Sequence, residues 1–311
     1  MAKCIIKSSV KLVTFRMAGG REGRAAVPGV LVEHGTKVAV LPGFSSILEI
    51  VEGGQNALDR AHESLKHSPA LLGVGNVTLL APIPQPPQMR DFLCFEKHLL
   101  QAFRAIGKTP PTAWYERPIF YHPSRFSVCG ADAEVPWPAY TERLDFELEF
   151  GCYIGRPGKD IPKERAREHI FGYTIFNDFS ARDEQSKEMA GQLGPGKGKD
   201  FDNANAMGPC LVTADEIGDP YRLEMAVRVN GEEWGRGNSR DMHWKFEDCT
   251  AHASRSETLH PGEFFGSGTV GNGCGLEQMR FLKPGDTVEL EVEGIGILRN
   301  KVVKRNSGSG S

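Results

Sequence analysis

Apolar and polar residues alternate most sharply in LDFELEFG, residues 144–151. Leu144, Phe146, Leu148 and Phe150 occupy one set of positions, and Asp145, Glu147 and Glu149 the other. A period of two predicts a strand with one apolar and one acidic face. Three carboxylates on one face repel each other unless water or a cation satisfies them. Residues i and i+2 of a strand lie roughly 7 Å apart, a gap that a hard divalent cation with oxygen ligands can bridge. Taken alone, the stretch favours a solvated strand edge.

Other segments fill in a strand-rich chain. KLVTF, RAAVPGVLVE, TKVAVLPG and NVTLLAPI read as short strands, with a helix at NALDRAHESLKH, so 1–80 is expected to be a small β-rich domain. PIPQPPQ, within 81–88, lacks backbone donors and predicts an extended linker. Beyond it, residues 89–107 show helical spacing of Phe92, Phe95, Leu99 and Phe103. IFYHP and GYTIFNDFS read as strands, and Asp160, Pro162 and KERAREH as a short capped helix. RLEMAVRVNGEEWGRG is a hairpin with Asn230-Gly231 at its turn. MHWKFEDCTAHAS predicts a helix, and EFFGSGTV and DTVELEVEGIGILRNKVV close the chain as strands. The expected class is α+β, mostly β with short helices, with a second domain over 89–305 and a tag-like tail, NSGSGS, at 306–311.

Composition narrows the function classes. The length of 311 residues allows one large or two modest domains. A net charge of −3 gives no electrostatic case for a nucleic-acid partner. No apolar run approaches a membrane span, and the N-terminus lacks the apolar core of a signal peptide. Seven scattered cysteines without a CxxC pair favour reduced thiols and a cytoplasmic location over disulfides or a zinc site.

Five groups of residues carry candidate chemistry. Glu147 and Glu149 form the first. Asp178 ends the apolar run GYTIF, with Arg182 and Gln185 on the next turn, so a carboxylate, a guanidinium and an amide converge at one strand exit. Arginine's fork suits a carboxylate substrate. Asp91 and His98 are seven residues apart, about two helical turns, and can share a face; a histidine oriented by a carboxylate is a candidate general base. GKGKDFDN, 196–203, lacks the P-loop spacing, which excludes that mode of nucleotide binding; Lys199 before an aromatic can face an anionic substrate. GSGTVGNGCGLE, 266–277, offers close backbone approach, with Thr269 and Glu277 as its polar members. Each group also has a plain structural reading as a turn, a cap or a surface loop. No GxSxG or known cysteine nucleophile motif is present.

Together, LDFELEFGCYIG, HIFGYTIFNDFSARDEQ, GKGKDF, GSGTV and LKPGDTVELEVEGIG resemble the fumarylacetoacetate hydrolase (fumarylacetoacetase) family, in order and spacing, over about 89–303. The resemblance implies a mixed β-roll or barrel catalytic domain, usually dimeric. It implies a divalent cation, normally Mg²⁺ and sometimes Ca²⁺ or Mn²⁺, held by Glu147, Glu149 and Asp178, with Asp91 completing the shell. It assigns His98 as the catalytic base, Lys199 to charge stabilisation, and Arg182, Gln185, Tyr121 and Thr269 to the substrate. Glu277 is the carboxylate that orients His98, with Glu96 as the substitute; Asp145 is left to hydrogen bonding at the strand start. Leu93 and Met189 stand where the fumarylacetoacetase branch places tyrosines, and the long insertions of the animal enzymes are missing. Both differences point away from fumarylacetoacetate itself.

The expected activity is hydrolysis of a C–C bond in a 1,3-diketo acid, an acylpyruvate or relative, by water that His98 activates against a metal-chelated substrate. The alternatives are a metal-dependent 2-oxo acid decarboxylase, a tautomerase or isomerase, or a lyase of the same superfamily, and more remotely a non-catalytic binding protein. The expected partners are a small diketo or oxo acid and a second copy of the chain, with neither nucleic acid nor membrane.

Overall fold

Strands carry most of the architecture in the computed structural model, which describes residues 10–19, 25–67 and 69–304. Cys4 and the NSGSGS tail lie outside the described residues. Among the described residues, the main sheet has twelve strands. Its order is Leu71–Gly73, Lys37–Val40, Val27–Val32, Lys11–Met17, Asn205–Thr213, Ile170–Asp178, Glu149–Ile154, Phe264–Gly266, Met89–Phe92 and Phe120–Tyr121. Val77–Leu79 pairs with Lys11–Met17, and Val128–Cys129 with Asn205–Thr213. Phe264–Gly266 runs parallel to Met89–Phe92, and the strands before it in the order pair antiparallel.

A five-stranded sheet packs beside it, ordered Glu232–Asn238, Glu224–Val229, Thr287–Val292, Gly296–Val303 and Glu134–Pro136. The expected hairpin is there: Asn230 and Gly231 both have positive φ, 53° and 80°, which the tight turn requires. The sheets are open and the helices short, a strand-rich α+β fold.

The first eighty residues join the rest edge to edge. Lys11 pairs with Val212 and Leu12 with Leu211, so one sheet continues across both segments. They also share a core: Ile47, Ile50, Val51 and Ile83 cluster with Tyr153, Phe171, Phe176, Met207 and Phe264. Ile83 and Pro86 of the proline-rich stretch are buried. The helix expected near 56–67 spans Ile47–Lys66, capped by the Ser46 side chain, which accepts from Glu49 N. Its first half escapes sequence reading because Gly53-Gly54 interrupts the pattern, and Gly54 is indeed non-helical, with φ 56° and ψ −142°.

Two expectations need correcting. Residues 89–107 are not one helix: Met89–Phe92 is a fully buried strand, and the helix begins only at Glu96. The phenylalanine spacing arises from core positions of two different elements. The 144–151 stretch is not one continuous strand either. Leu144–Asp145 and Glu149–Ile154 are separate, and Glu147 between them forms an isolated bridge to Cys274. Its acidic side is also not solvated, since every residue from Leu144 to Gly151 is buried.

Candidate active site

Three strands of the main sheet bring Glu149, Asp178 and Asp91 to one point, and Glu147, in the segment between strands, adds a fourth carboxylate. Glu149 begins its strand opposite Phe176, and Asp178 lies two residues further along that partner strand. Asp91 lies opposite Gly266 on one side and Tyr121 on the other. Gly266 is required there, because an added Cβ would collide with Asp91 Oδ1. Glu147 is held by its backbone N–H, which donates to Asn177 Oδ1 at 3.0 Å. One oxygen from each of Asp91, Glu147, Glu149 and Asp178 lies within 4.8 Å of the others, and all four residues are buried.

The electrostatics of this cage are unbalanced. Burial and neighbouring acids push the Asp91 and Glu149 carboxyls well above the ordinary range, and burial lifts Asp178 to about 6. Burial also disfavours ionised Glu147, but Lys199, Arg182 and His98 outweigh it and hold that carboxyl below its usual value. Glu149 Oε1 and Oε2 and Asp178 Oδ1 are buried with no hydrogen-bond partner. Orphaned carboxylate oxygens in a dry site are costly. A hard divalent cation with oxygen ligands resolves both the repulsion and the missing partners, so the donor set fits Mg²⁺, Ca²⁺ or Mn²⁺.

Two cations of the chain itself partly offset the acids. Lys199 Nζ donates to Glu147 Oε2 at 2.9 Å and to Asp178 Oδ2 at 2.6 Å. Burial would lower the Lys199 pKa, but Asp178 and Glu147 outweigh it and raise it. Arg182 donates from Nε to Asp145 Oδ2 at 2.8 Å and from Nη1 to Gln185 Oε1 at 3.0 Å, while Nη2 sits 2.8 Å from Glu147 Oε1. Tyr121 Oη donates to Asp178 Oδ2 at 2.6 Å. Burial, Asp178 and Asp91 raise its pKa, so the phenol stays a proton donor. Thr269 Oγ1 is buried and unpaired in the glycine-rich loop.

Asp145 sits outside the cage. It accepts from Gly275 N at 2.7 Å, Leu276 N at 2.9 Å and Arg182 Nε. Gly275 is needed for this approach, since a Cβ there would strike Asp145 and Arg280 O. Asp145 thus ties the acidic stretch to the loop that carries Glu277.

His98 does not share a helix face with Asp91, as sequence spacing predicted. It lies in the first turn of Glu96–Ala105, and its Nδ1 is 2.9 Å from Glu277 Oε1. An ionised carboxylate only accepts, so Nδ1 carries the proton and Nε2 keeps its lone pair. That arrangement is a base with an orienting carboxylate. Glu96, the substitute partner, instead accepts from Tyr115 Oη at the surface. Asn177 and Cys274 escaped sequence reading: neither occurs in a pattern that announces a role, and only the folded register places them here.

A strand-rich α+β scaffold that gathers four buried carboxylates beside a histidine–glutamate dyad belongs to a defined class of enzymes. A family model described as fumarylacetoacetate (FAA) hydrolase C-terminal matches residues 88–303, and the chain belongs to that family. It is 33% identical over 301 residues to an oxaloacetate tautomerase, fahd2, mitochondrial, of Xenopus laevis, covering 95% of this chain and 91% of the relative. The oxaloacetate tautomerase YisK of Bacillus subtilis is 33% identical over 234 residues, 75% of each chain. Among solved structures, the fumarylacetoacetate hydrolase of Exiguobacterium antarcticum aligns with a TM-score of 0.76 at 28% identity, covering 96% of this chain and 100% of that one. Among the described residues, no helix is long and apolar enough to cross a membrane.

Proposed function

We propose that this chain interconverts the keto and enol forms of a small 2-oxo dicarboxylic acid of the oxaloacetate type, with a divalent cation in the cage of Asp91, Glu147, Glu149 and Asp178. The observation that carries the reading is the His98–Glu277 pair, a single proton carrier set beside that cage. The oxaloacetate tautomerases that match most of this chain support it. When bound, the cation supplies Lewis acidity toward the substrate's keto oxygen.

The chain's own groups supply the proton path. In the keto-to-enol direction, neutral His98 takes a proton from the carbon beside the keto group at Nε2. The C–H electron pair becomes the C=C bond, and the keto oxygen gains the negative charge. Lys199 and Arg182 are the cations that stabilise this charge and the substrate carboxylates. The Nε2 proton then returns to that oxygen, giving the enol, while Glu277 stabilises the transient imidazolium. The reverse direction uses the same groups. The six cysteines among the described residues are buried and free, which suits a reducing compartment.

The test is to mix the enol form of oxaloacetate with protein and Mg²⁺ and follow decay of the enol absorbance, with proton NMR in D₂O. Accelerated ketonisation with deuterium entering C3, lost with EDTA and in His98→Ala, is the expected result. No acceleration over buffer containing Mg²⁺ overturns the reading.

A second reading is hydrolysis of an acylpyruvate, with His98 taking the proton from water instead of carbon. The alignment with a fumarylacetoacetate hydrolase favours it. Release of two acids from acetylpyruvate, identified by mass spectrometry, would move the assignment there.

A further inference from the structure

We propose that His98, Cys274 and Glu277 form a second metal site, separate from the acid cage, that takes a borderline or soft cation such as Zn²⁺ and switches the dyad off. One ligand atom from each lies within 4.8 Å of the others. His98 Nδ1 is 2.9 Å from Glu277 Oε1 and 4.0 Å from Cys274 Sγ. Tetrahedral zinc with bonds of about 2.0 Å to nitrogen and oxygen and about 2.3 Å to sulfur sets ligand atoms about 3.3–3.6 Å apart. The His98–Glu277 and His98–Cys274 separations therefore need to change by only about 0.5 Å.

The surroundings favour a cation. Burial is the largest influence on the Cys274 thiol and raises its pKa, so a metal has to displace the thiol proton; Asp145, Glu277 and Glu147 add negative charge around it, which Arg182 offsets in part. Cys274 N donates to Glu277 Oε2 at 3.3 Å, which fixes thiol and carboxylate relative to each other. Cys274 is 1% exposed and His98 6%, so bulk water competes weakly. The donor sets also separate the metals. The cage is all oxygen and suits Mg²⁺, whereas nitrogen with thiolate selects zinc-like ions.

The proton balance is simple. The Cys274 thiol proton leaves to solvent as the S–metal bond forms. Nδ1 becomes a ligand, so the imidazole proton moves to Nε2, and the lone pair that receives the substrate proton is gone. No oxidation occurs. This loss of turnover rests on the reading of His98 as the base; the binding itself does not.

The experiment uses the full chain with Mg²⁺ in saturating excess, titrated with Co²⁺ as a spectroscopic probe and with Zn²⁺ against a chromophoric chelator. The expected result is one site that Mg²⁺ does not displace, with a thiolate-to-cobalt charge-transfer band. Cys274→Ala should abolish the band and weaken Zn²⁺ by about a hundredfold, since even outer-shell partners are worth about 10–100-fold. Its melting temperature with Mg²⁺ reports whether it has folded, and Cys274→Ser serves if it has not. A wild-type protein without the band, or folded variants that keep wild-type Zn²⁺ affinity, would overturn the proposal. Neither result depends on which reaction the enzyme runs.

Discussion

His98 Nδ1 and Glu277 Oε1 stand 2.9 Å apart although 179 residues separate them in the chain. The pair fixes one tautomer, and that makes its members separable by experiment. His98→Ala should lower turnover by about 10²–10⁴-fold while the Mg²⁺-induced rise in melting temperature persists. Glu277→Gln retains an acceptor for Nδ1–H but loses the charge that stabilises the imidazolium, so its kcat should fall less than that of Glu277→Ala. Equal losses in the two Glu277 variants would mean that orientation contributes nothing.

Glu149 makes no hydrogen bond through either oxygen. Glu149→Gln should therefore abolish the Mg²⁺-induced thermal shift and, in EDTA at neutral pH, melt higher than the wild type. The amide cannot ionise, and it can donate to a neighbouring carboxylate. A lower melting temperature in EDTA would show that the carboxylate stabilises the metal-free fold.

The cage also sets a pH dependence. Burial raises Asp91, Glu149 and Asp178 above their unfolded values. The folded metal-free protein then holds protons that the unfolded chain has released, so stability falls as pH rises from the ordinary carboxylate range through about 6 and beyond. Glu147 has the opposite sign, and its contribution disappears only in acid. Mg²⁺ binds the ionised cage, so the gap between melting temperatures with Mg²⁺ and with EDTA should widen between roughly pH 5 and 8. Calorimetry across that range would test it, and a constant gap would contradict the cage as the binding site.

Lys199 spans Glu147 and Asp178. Lys199→Met removes a positive charge from an acidic cage. The metal-free protein should lose stability, the Mg²⁺-induced shift should grow, and turnover should collapse. A smaller shift would identify Lys199 as a support for the ligands, not a competitor for them.

Asp145 is fully buried and paired with Arg182, which is buried too. Asp145→Ala leaves that guanidinium short of a partner and releases the Gly275 and Leu276 amides, a cost of about 3–5 kcal/mol for a broken buried pair. Denaturant unfolding should show it, and Asp145→Asn, which keeps acceptors for the amides, should lose less.

Much of this site was legible in the chain, and the exceptions have physical causes. The alternation at 144–151 drew attention to Asp145, Glu147 and Glu149 alike, and the end of GYTIF to Asp178; the resemblance to the family, not the alternation, picked Glu147, Glu149 and Asp178 as expected ligands. The same alternation did not say whether the acidic side met water or protein. That depends on strands distant in sequence covering it. Asp91 and His98 matched a helical spacing by coincidence, since a strand and a helix meet at residues 93–95. Glu277 was named beside His98 by the resemblance, whereas Asn177 and Cys274 reach the site through strand register and loop geometry, which leave no periodic trace. Their placement needed the fold.

The pairing of Lys11–Met17 with Asn205–Thr213 has a practical consequence. A fragment limited to the matched region 88–303 would lose that pairing. Such a fragment would bare the strand edge at Leu211 and Val212, where Leu12 and Lys11 pair. It would also strip Ile47, Ile50 and Val51 from the aromatic layer of Tyr153, Phe176 and Phe264. An open edge beside an uncovered apolar layer is a template for self-association. Trimming from the front should therefore yield precipitate, not a smaller catalyst.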